Sequence, residues 1–328
     1  MRSIAPGRVN LIGDHTDYTG GLVFPMAIDR WTICEGDITD DVIFLTSAEQ
    51  EGTVQFPLDA PFDAAMQPSW GRYVSAVASL IKPQQGINGH LTTTIPVGAG
   101  LSSSAALELA IAYALTDSIA PTDLALLMQQ AEQLATGVPT GIMDQLCIAS
   151  AHEGHGTLID CRSLDVQHIA IPTDVDIVVQ FIAHRTLQGS EYSDRVHECN
   201  KAETLIGPLR DATLSTVATI EDDTIKRRAR HVVTENQRVR DFTQALTSGD
   251  YAGAGALMRE SHRSLFQDFA VSTQQMDDVV ETICGLPGVY GSRMTGGGFG
   301  GCIVTLCEPG TVLDGWKVKP VAAARRVD

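Results

Sequence analysis

The chain has no apolar run long enough to cross a bilayer. Its first ten residues, MRSIAPGRVN, lack the apolar stretch and cleavage pattern of a secretory signal. No membrane partner is therefore expected, and a cytoplasmic location is. Cysteine is sparse and scattered: seven residues, at 34, 147, 161, 199, 284, 302 and 307, with no Cys-x-x-Cys pair and no Cys/His cluster. An odd number so dispersed argues against a disulfide framework and against structural zinc. Basic residues number 23 against 40 acidic ones, giving a formal charge of -17. General nucleic-acid affinity is thereby disfavoured, while an anionic small substrate would need only local positive potential. No internal repeat or low-complexity tail interrupts the 328 residues, of which 44% are apolar, as in soluble globular proteins.

A chain of this length is expected to form two domains, divided as 1–168 and 169–328. Apolar and β-branched runs predict strands at Val9–Ile12, Leu22–Cys34, 40–58 (around a turn at Ser47–Gly52), Leu91–Val97, Thr157–Asp160, Asp176–Ala183 and Cys302–Cys307. Helices are expected from Trp70, over Leu101–Leu115, over Asp123–Thr136 with Thr122 as cap, and over Gly141–Ala151. Further helices are expected at Ser190–Leu205, Asp250–Leu265 and Thr273–Cys284. The stretch Glu221–Arg240 reads only as polar and highly charged. Such an order fits an α+β class better than a helical bundle.

Four segments carry chemistry. Ile95–Ala106 (IPVGAGLSSSAA) runs directly into a helix, so backbone N–H groups at a helix start can face a bound anion. It is neither a Rossmann fingerprint nor a Walker loop, because no lysine follows its glycines. Phosphate would be held by backbone N–H groups and serine hydroxyls over Gly98, Ala99, Gly100, Leu101, Ser102, Ser103, Ser104 and Ala105; a purely structural turn is the alternative. Gly7–Tyr18 packs Arg8, Asp14, His15 and Asp17 around a short apolar strand, a density of donors and acceptors that suits a polyol. A charged, self-capped surface turn is the other reading. Glu132 and Asp144 bracket a Thr-Gly-Val-Pro-Thr-Gly turn, with Asp144 in the first turn of its helix, where the dipole favours a carboxylate. A solvated Glu132 and a helix-capping Asp144 are the bland alternatives. Thr295, Gly296, Gly297 and Gly298 belong to RMTGGGFGGC, whose five glycines in six residues cost folding entropy and imply a need for backbone room. A crowded turn between core strands would also explain them.

Together these segments resemble the galactose/homoserine/mevalonate/phosphomevalonate (GHMP) small-molecule kinases, within them the galactokinase branch. GRVNLIGDHTDYTGG is similar to the sugar-binding signature, PVGAGLSSSAA to the phosphate loop, GIMDQ to the catalytic-aspartate segment and RMTGGGFGGC to the third motif. WGRYVSAV and GSEYSDR add to the likeness. The resemblance implies a ribosomal-protein-S5-domain-2-like first domain and a ferredoxin-like second. It implies Asp144 and Arg8 at the reacting hydroxyl, with Arg8, Asp14, His15, Asp17, Gly141, Asp144 and Tyr192 around the sugar. ATP and Mg²⁺ are implied as well, the ion handled by Ser103 and Glu132. The expected reaction is ATP-dependent phosphorylation of the C1 hydroxyl of D-galactose. L-arabinose or an N-acetylhexosamine as substrate, or a catalytically silent sugar sensor, are the rivals. Departures from the branch are Asp14 where glutamate is usual, Thr19 for asparagine, Thr140 for cysteine, and an unfamiliar segment at 180–187.

Overall fold

Strand β1 (Arg2–Asn10) is buried on both faces from Ala5 onward, which is why it holds few large polar groups outside the site. In this computed structural model, which describes residues 1–116, 118–184 and 190–327, β1 lies within a six-stranded sheet. Its neighbours there are β3 (Pro25–Thr39), β4 (Val42–Ser47), β5 (Thr53–Pro57), β6 (Gly86–Thr93) and β13 (Arg325–Val327). The order is β13-β1-β3-β6-β4-β5, antiparallel except for β4 against β6. A three-stranded sheet joins β2 (Leu22–Val23), β7 (His155–Asp160) and β8 (Asp165–Ala170). The third sheet is antiparallel, in the order β10 (Val289–Thr295), β11 (Gly301–Cys307), β9 (Asp176–Ala183) and β12 (Trp316–Val318).

Helices α1 (Gly71–Ile81), α2 (Ser103–Leu115), α3 (Pro121–Thr136) and α4 (Met143–Ser150) pack together beside the first sheet. The central one, α2, is buried nearly all round, so its Ala and Leu residues show little amphipathic pattern. Helices α5 (Ser190–Ile206), α6 (Leu214–Val217), α7 (Asp223–Ser248), α8 (Tyr251–Ser264) and α9 (Gln274–Cys284) accompany the β9–β12 sheet, and a π turn, Leu265–Phe269, extends α8. Among the described residues no helix is long and apolar enough to cross a membrane.

Several elements differ from the sequence-based expectation. Helix α3 starts at Pro121, whose fixed φ suits the first helical position, and Ala120 rather than Thr122 is its cap. The charged stretch from 221 forms the 26-residue α7. Asp222 caps it by accepting from the N–H groups of Thr224 and Ile225, and Gly249 ends it in the left-handed conformation. Its buried Ile225, Ala229, Val232, Val239, Phe242 and Leu246 recur at helical spacing beneath the charges. Strand β8, which no expected element covered, straddles position 168, and the 325–327 strand returns to the first sheet. One apolar core runs from Val9 and Phe24 through Phe242 and Met258 to Val304, so both large sheets share it.

Candidate active site

Gly7 sets the geometry. A side chain there would meet the Leu101 carbonyl at 2.8 Å, so only glycine lets the glycine-containing loop lie against β1. The Arg8 N–H then donates to the Leu101 carbonyl at 3.1 Å, and the Arg8 guanidinium donates to the Gly100 carbonyl at 2.6 Å. Arg8 also meets Asp144 Oδ1 through Nε at 2.7 Å and Nη2 at 2.6 Å. The second Asp144 oxygen accepts from the Ser102 hydroxyl at 2.5 Å. A carboxylate at a helix start is thus fixed on both oxygens, yet keeps 23% of its side chain exposed to a cavity of about 400 Å³. Burial alone would lower the Arg8 pKa, but Asp144 outweighs it and the guanidinium is held more firmly protonated than usual.

The turn after β1 forms the opposite wall. Asp14 accepts from the Gly296 N–H at 2.9 Å and pairs with Arg293 Nη2 at 2.6 Å. Burial raises its pKa despite that partner. His15 adopts φ 64°, its Nδ1 is 3.0 Å from the Tyr18 hydroxyl, and its ring packs against Tyr192 and Phe269. Asp17 is pushed up to about 7 by burial and by the Asp144 carboxylate. A Cβ on Gly141 would overlap the Asp17 carboxylate, which is why glycine stands there. The Tyr192 phenol is hydrogen-bonded to the Gly141 backbone, and burial raises its pKa well above the ordinary value.

In the loop, Gly98, Gly100 and Ser102 have positive φ, and Ser102 stands at the N-cap position of α2 with its hydroxyl turned to Asp144. Gly98, Gly100, Ser102, Ser103 and Ser104 line the cavity, whereas the side chains of Ala99, Leu101 and Ala105 are packed into the core. Glu132 lies about a turn before the end of α3. It accepts from Ser104, one residue beyond the expected Ser103, at 2.7 Å and from Gln145 Nε2 at 2.5 Å. Burial, then Asp144, raises its pKa. Among the described residues no group of three or more His, Cys, Asp or Glu could hold a metal. The available donors are one carboxylate and serine hydroxyls, hard oxygens that suit Mg²⁺ when phosphate oxygens and water complete its shell.

From the third motif, Gly296, Gly297 and Gly298 line the cavity, and a Cβ on Gly298 would overlap the Val271 carbonyl. The Thr295 side chain turns away: its hydroxyl accepts from the Asn10 N–H at 3.1 Å and donates to the Asn10 carbonyl at 2.9 Å, tying β10 to β1. Of the 180–187 segment, residues 185–187 lie outside the described residues.

Sequence reasoning missed a second cavity of about 260 Å³, lined by Trp70, Leu91, Thr93 and Leu107. It shares Tyr73, Val97, Ser103 and Ser104 with the first. The WGRYVSAV likeness was the available signal for it. Also missed were the buried partners Glu108, Gln145 and Glu235, which single-sequence patterns do not distinguish from ordinary helix residues.

Three family models match the chain: the galactokinase galactose-binding signature at residues 2–36, the GHMP kinases N terminal domain at 72–152 and the GHMP kinases C terminal domain at 242–316. A galactokinase of Homo sapiens is 41% identical over 326 residues, covering 93% of this chain and 83% of its own. One from Chloroflexus aggregans is 41% identical over 325 residues, with the same coverage. The structure of Lactococcus lactis galactokinase complexed with galactose superposes with a TM-score of 0.90 at 28% identity, covering 99% of this chain and 95% of that one. Methanococcus jannaschii mevalonate kinase, at 21% identity and a TM-score of 0.68, shares the fold over 94% of this chain and 90% of its own.

Proposed function

We propose that this chain, which belongs to the GHMP kinase family and within it to the galactokinases, phosphorylates the C1 hydroxyl of D-galactose with ATP to give α-D-galactose 1-phosphate and ADP. The observation that carries this is the Asp144 carboxylate, pinned by Arg8 and Ser102 at the junction of the glycine-containing loop and the polyol-type turn. The named relatives are galactokinases, one of them solved with galactose, and Asp14, His15 and Asp17 offer the acceptors and donors that sugar hydroxyls need.

The triphosphate lies along the loop, bonded by backbone N–H groups at the start of α2 and by Ser102, Ser103 and Ser104. Its base occupies the adjoining cavity beside Trp70 and Tyr73. Glu132 and Ser103, with Ser104 beside them, would hold Mg²⁺, which when bound offsets charge on the β- and γ-phosphates. Asp144 accepts a hydrogen bond from the C1 hydroxyl and orients its oxygen toward the γ-phosphorus. As the oxygen–phosphorus bond forms, the bond from the γ-phosphorus to the bridging oxygen breaks and the hydroxyl proton passes to Asp144. A loose transition state asks little of a base, so orientation is the larger part of that contribution. Arg8 fixes the orientation of the Asp144 carboxylate through its Nε and Nη2 contacts.

Asp144→Asn preserves shape and removes the acceptor charge. Its kcat is expected to fall by about 10³-fold or more, while nucleotide affinity, read by calorimetric titration, stays near wild type. Near-wild-type turnover in that variant would remove Asp144 from the chemistry.

A further inference from the structure

Behind the sugar-facing turn lies a row of fully buried charges that the reaction above does not use. Arg293 of β10 has no exposed surface; its Nη2 is 2.6 Å from Asp14 Oδ2 and 4.0 Å from Glu235 Oε1. Glu235 of α7 is equally buried. It accepts from the Gly13 N–H at 3.0 Å, the Ser261 hydroxyl at 2.5 Å and Arg238 Nε at 2.7 Å. The other Asp14 oxygen takes the Gly296 N–H. The third glycine motif thus holds the Asp14 carboxylate in the cavity wall, and Glu235 of helix α7 backs both Arg293 and the turn after β1. Buried ion pairs of this kind seldom stabilise a fold more than apolar packing would, so stability alone does not account for placing one at the edge of a binding site.

We propose that Arg293, backed by Glu235, is a positioning residue for sugar recognition: its ion pair fixes the Asp14 carboxylate in the cavity wall, and so sets sugar affinity. The inference rests on the sugar-kinase reading above. The charged groups around Asp14 are Arg8 from β1, Arg293 from β10, Asp17 from its own turn and Glu235 from α7 behind Arg293. His231 of α7 lies 3.1 Å from the Asp14 carbonyl oxygen and is held neutral, burial pushing its pKa down to about 4. Arg293 is the strongest favourable partner in this set, and burial already raises the Asp14 pKa in its presence. Loss of the guanidinium leaves a desolvated carboxylate without its main favourable charge, which shifts it further toward the protonated form and leaves it one fewer acceptor for sugar hydroxyls.

The test is a double-mutant cycle with Arg293→Gln, Asp14→Asn and both together, reading kcat and both KM values between pH 6 and 9. Arg293→Gln is expected to raise the galactose KM about tenfold at pH 7 while the ATP KM stays within about twofold. That galactose KM should depend more steeply on pH than in the wild type, falling as rising pH favours the ionised Asp14. Asp14→Asn should raise it while keeping only the acidic limb that Asp17 gives the wild type, and the double variant should be no worse than Asp14→Asn alone. A wild-type galactose KM and pH profile in Arg293→Gln, additive effects in the double variant, or an equal rise in both KM values would overturn the proposal. Should Arg293→Gln fail to fold, Arg293→Lys keeps the charge without the planar fork. It should raise the galactose KM at every pH, and an unchanged value would be equally damaging. Wild-type turnover of galactose tests the underlying reading separately; if another sugar is the substrate, the same cycle is read on that sugar.

Discussion

At Asp17 burial and a neighbouring negative charge act in the same direction, and the outcome is a carboxyl group that titrates near neutrality. Its pKa is pushed up to about 7, first by desolvation and then by the nearby Asp144 carboxylate. Between about pH 4 and 7 the folded chain holds a proton that the unfolded chain has released, so Asp17 makes stability fall as pH rises through that window. Asp17→Asn should therefore flatten this part of the stability profile and raise stability at pH 8, by on the order of 1–3 kcal/mol. In activity the sign reverses, because the ionised form is the better acceptor for sugar hydroxyls. The wild-type galactose KM should rise as pH drops below about 7; in Asp17→Asn it should be uniformly raised and lack that limb. Denaturant titrations and KM measurements across pH 5.5–8.5 check both halves. Retention of the acidic limb in Asp17→Asn would assign it to another group. The residues of this turn were legible in the sequence because so many polar types crowd a short strand. Their division of labour was not, because it depends on Arg293 and Glu235, about 220 to 280 positions away in the chain.

Helix α7 carries the clearest lesson at the level of elements. Its first eighteen residues were read only as polar and charged, although Ile225, Ala229, Val232, Val239, Phe242 and Leu246 sit at helical spacing and Asp222 offers a capping carboxylate. Charge density hid a period that a count of apolar positions would have found. The helix also supplies polar support to the first domain. Asn236 Oδ1 accepts from the Leu22 N–H at 2.8 Å, its Nδ2 donates to the Val232 carbonyl at 2.8 Å, and it is buried. Asn236→Ala leaves that N–H without its acceptor and should cost about 1–3 kcal/mol, seen as a lower midpoint in urea. No loss would mean that the link from α7 to β2 is dispensable. By contrast, α2 and β9 were close to plain in the sequence. The first is announced by its glycine loop, and the second by an apolar run whose observed bounds, Asp176–Ala183, are those expected.

Across the whole molecule, the two large sheets are joined by one apolar core and by β13, which brings the far end of the described chain back beside β1. The fold class and the family were legible because four motifs occur in family order. The returning strand was not, since three residues of Arg-Arg-Val carry no pairing signal of their own. The same arrangement places Arg8, Gly100 and Asp144, up to 136 residues apart, in one hydrogen-bonded unit. The chain carries a formal charge of -17, and in the candidate site Arg8 is itself paired with Asp144, so phosphate charge would be met chiefly by backbone N–H groups at the start of α2 and by a bound cation. The most direct test of the account is ADP release from ATP and Mg²⁺ by the purified chain across galactose, glucose, galactosamine, N-acetylgalactosamine, N-acetylglucosamine and L-arabinose. Strong turnover with galactose, and a product phosphorylated at C1, is the predicted result. Turnover confined to another sugar would contradict the galactose assignment, and silence across the panel with galactose binding retained would contradict the kinase itself.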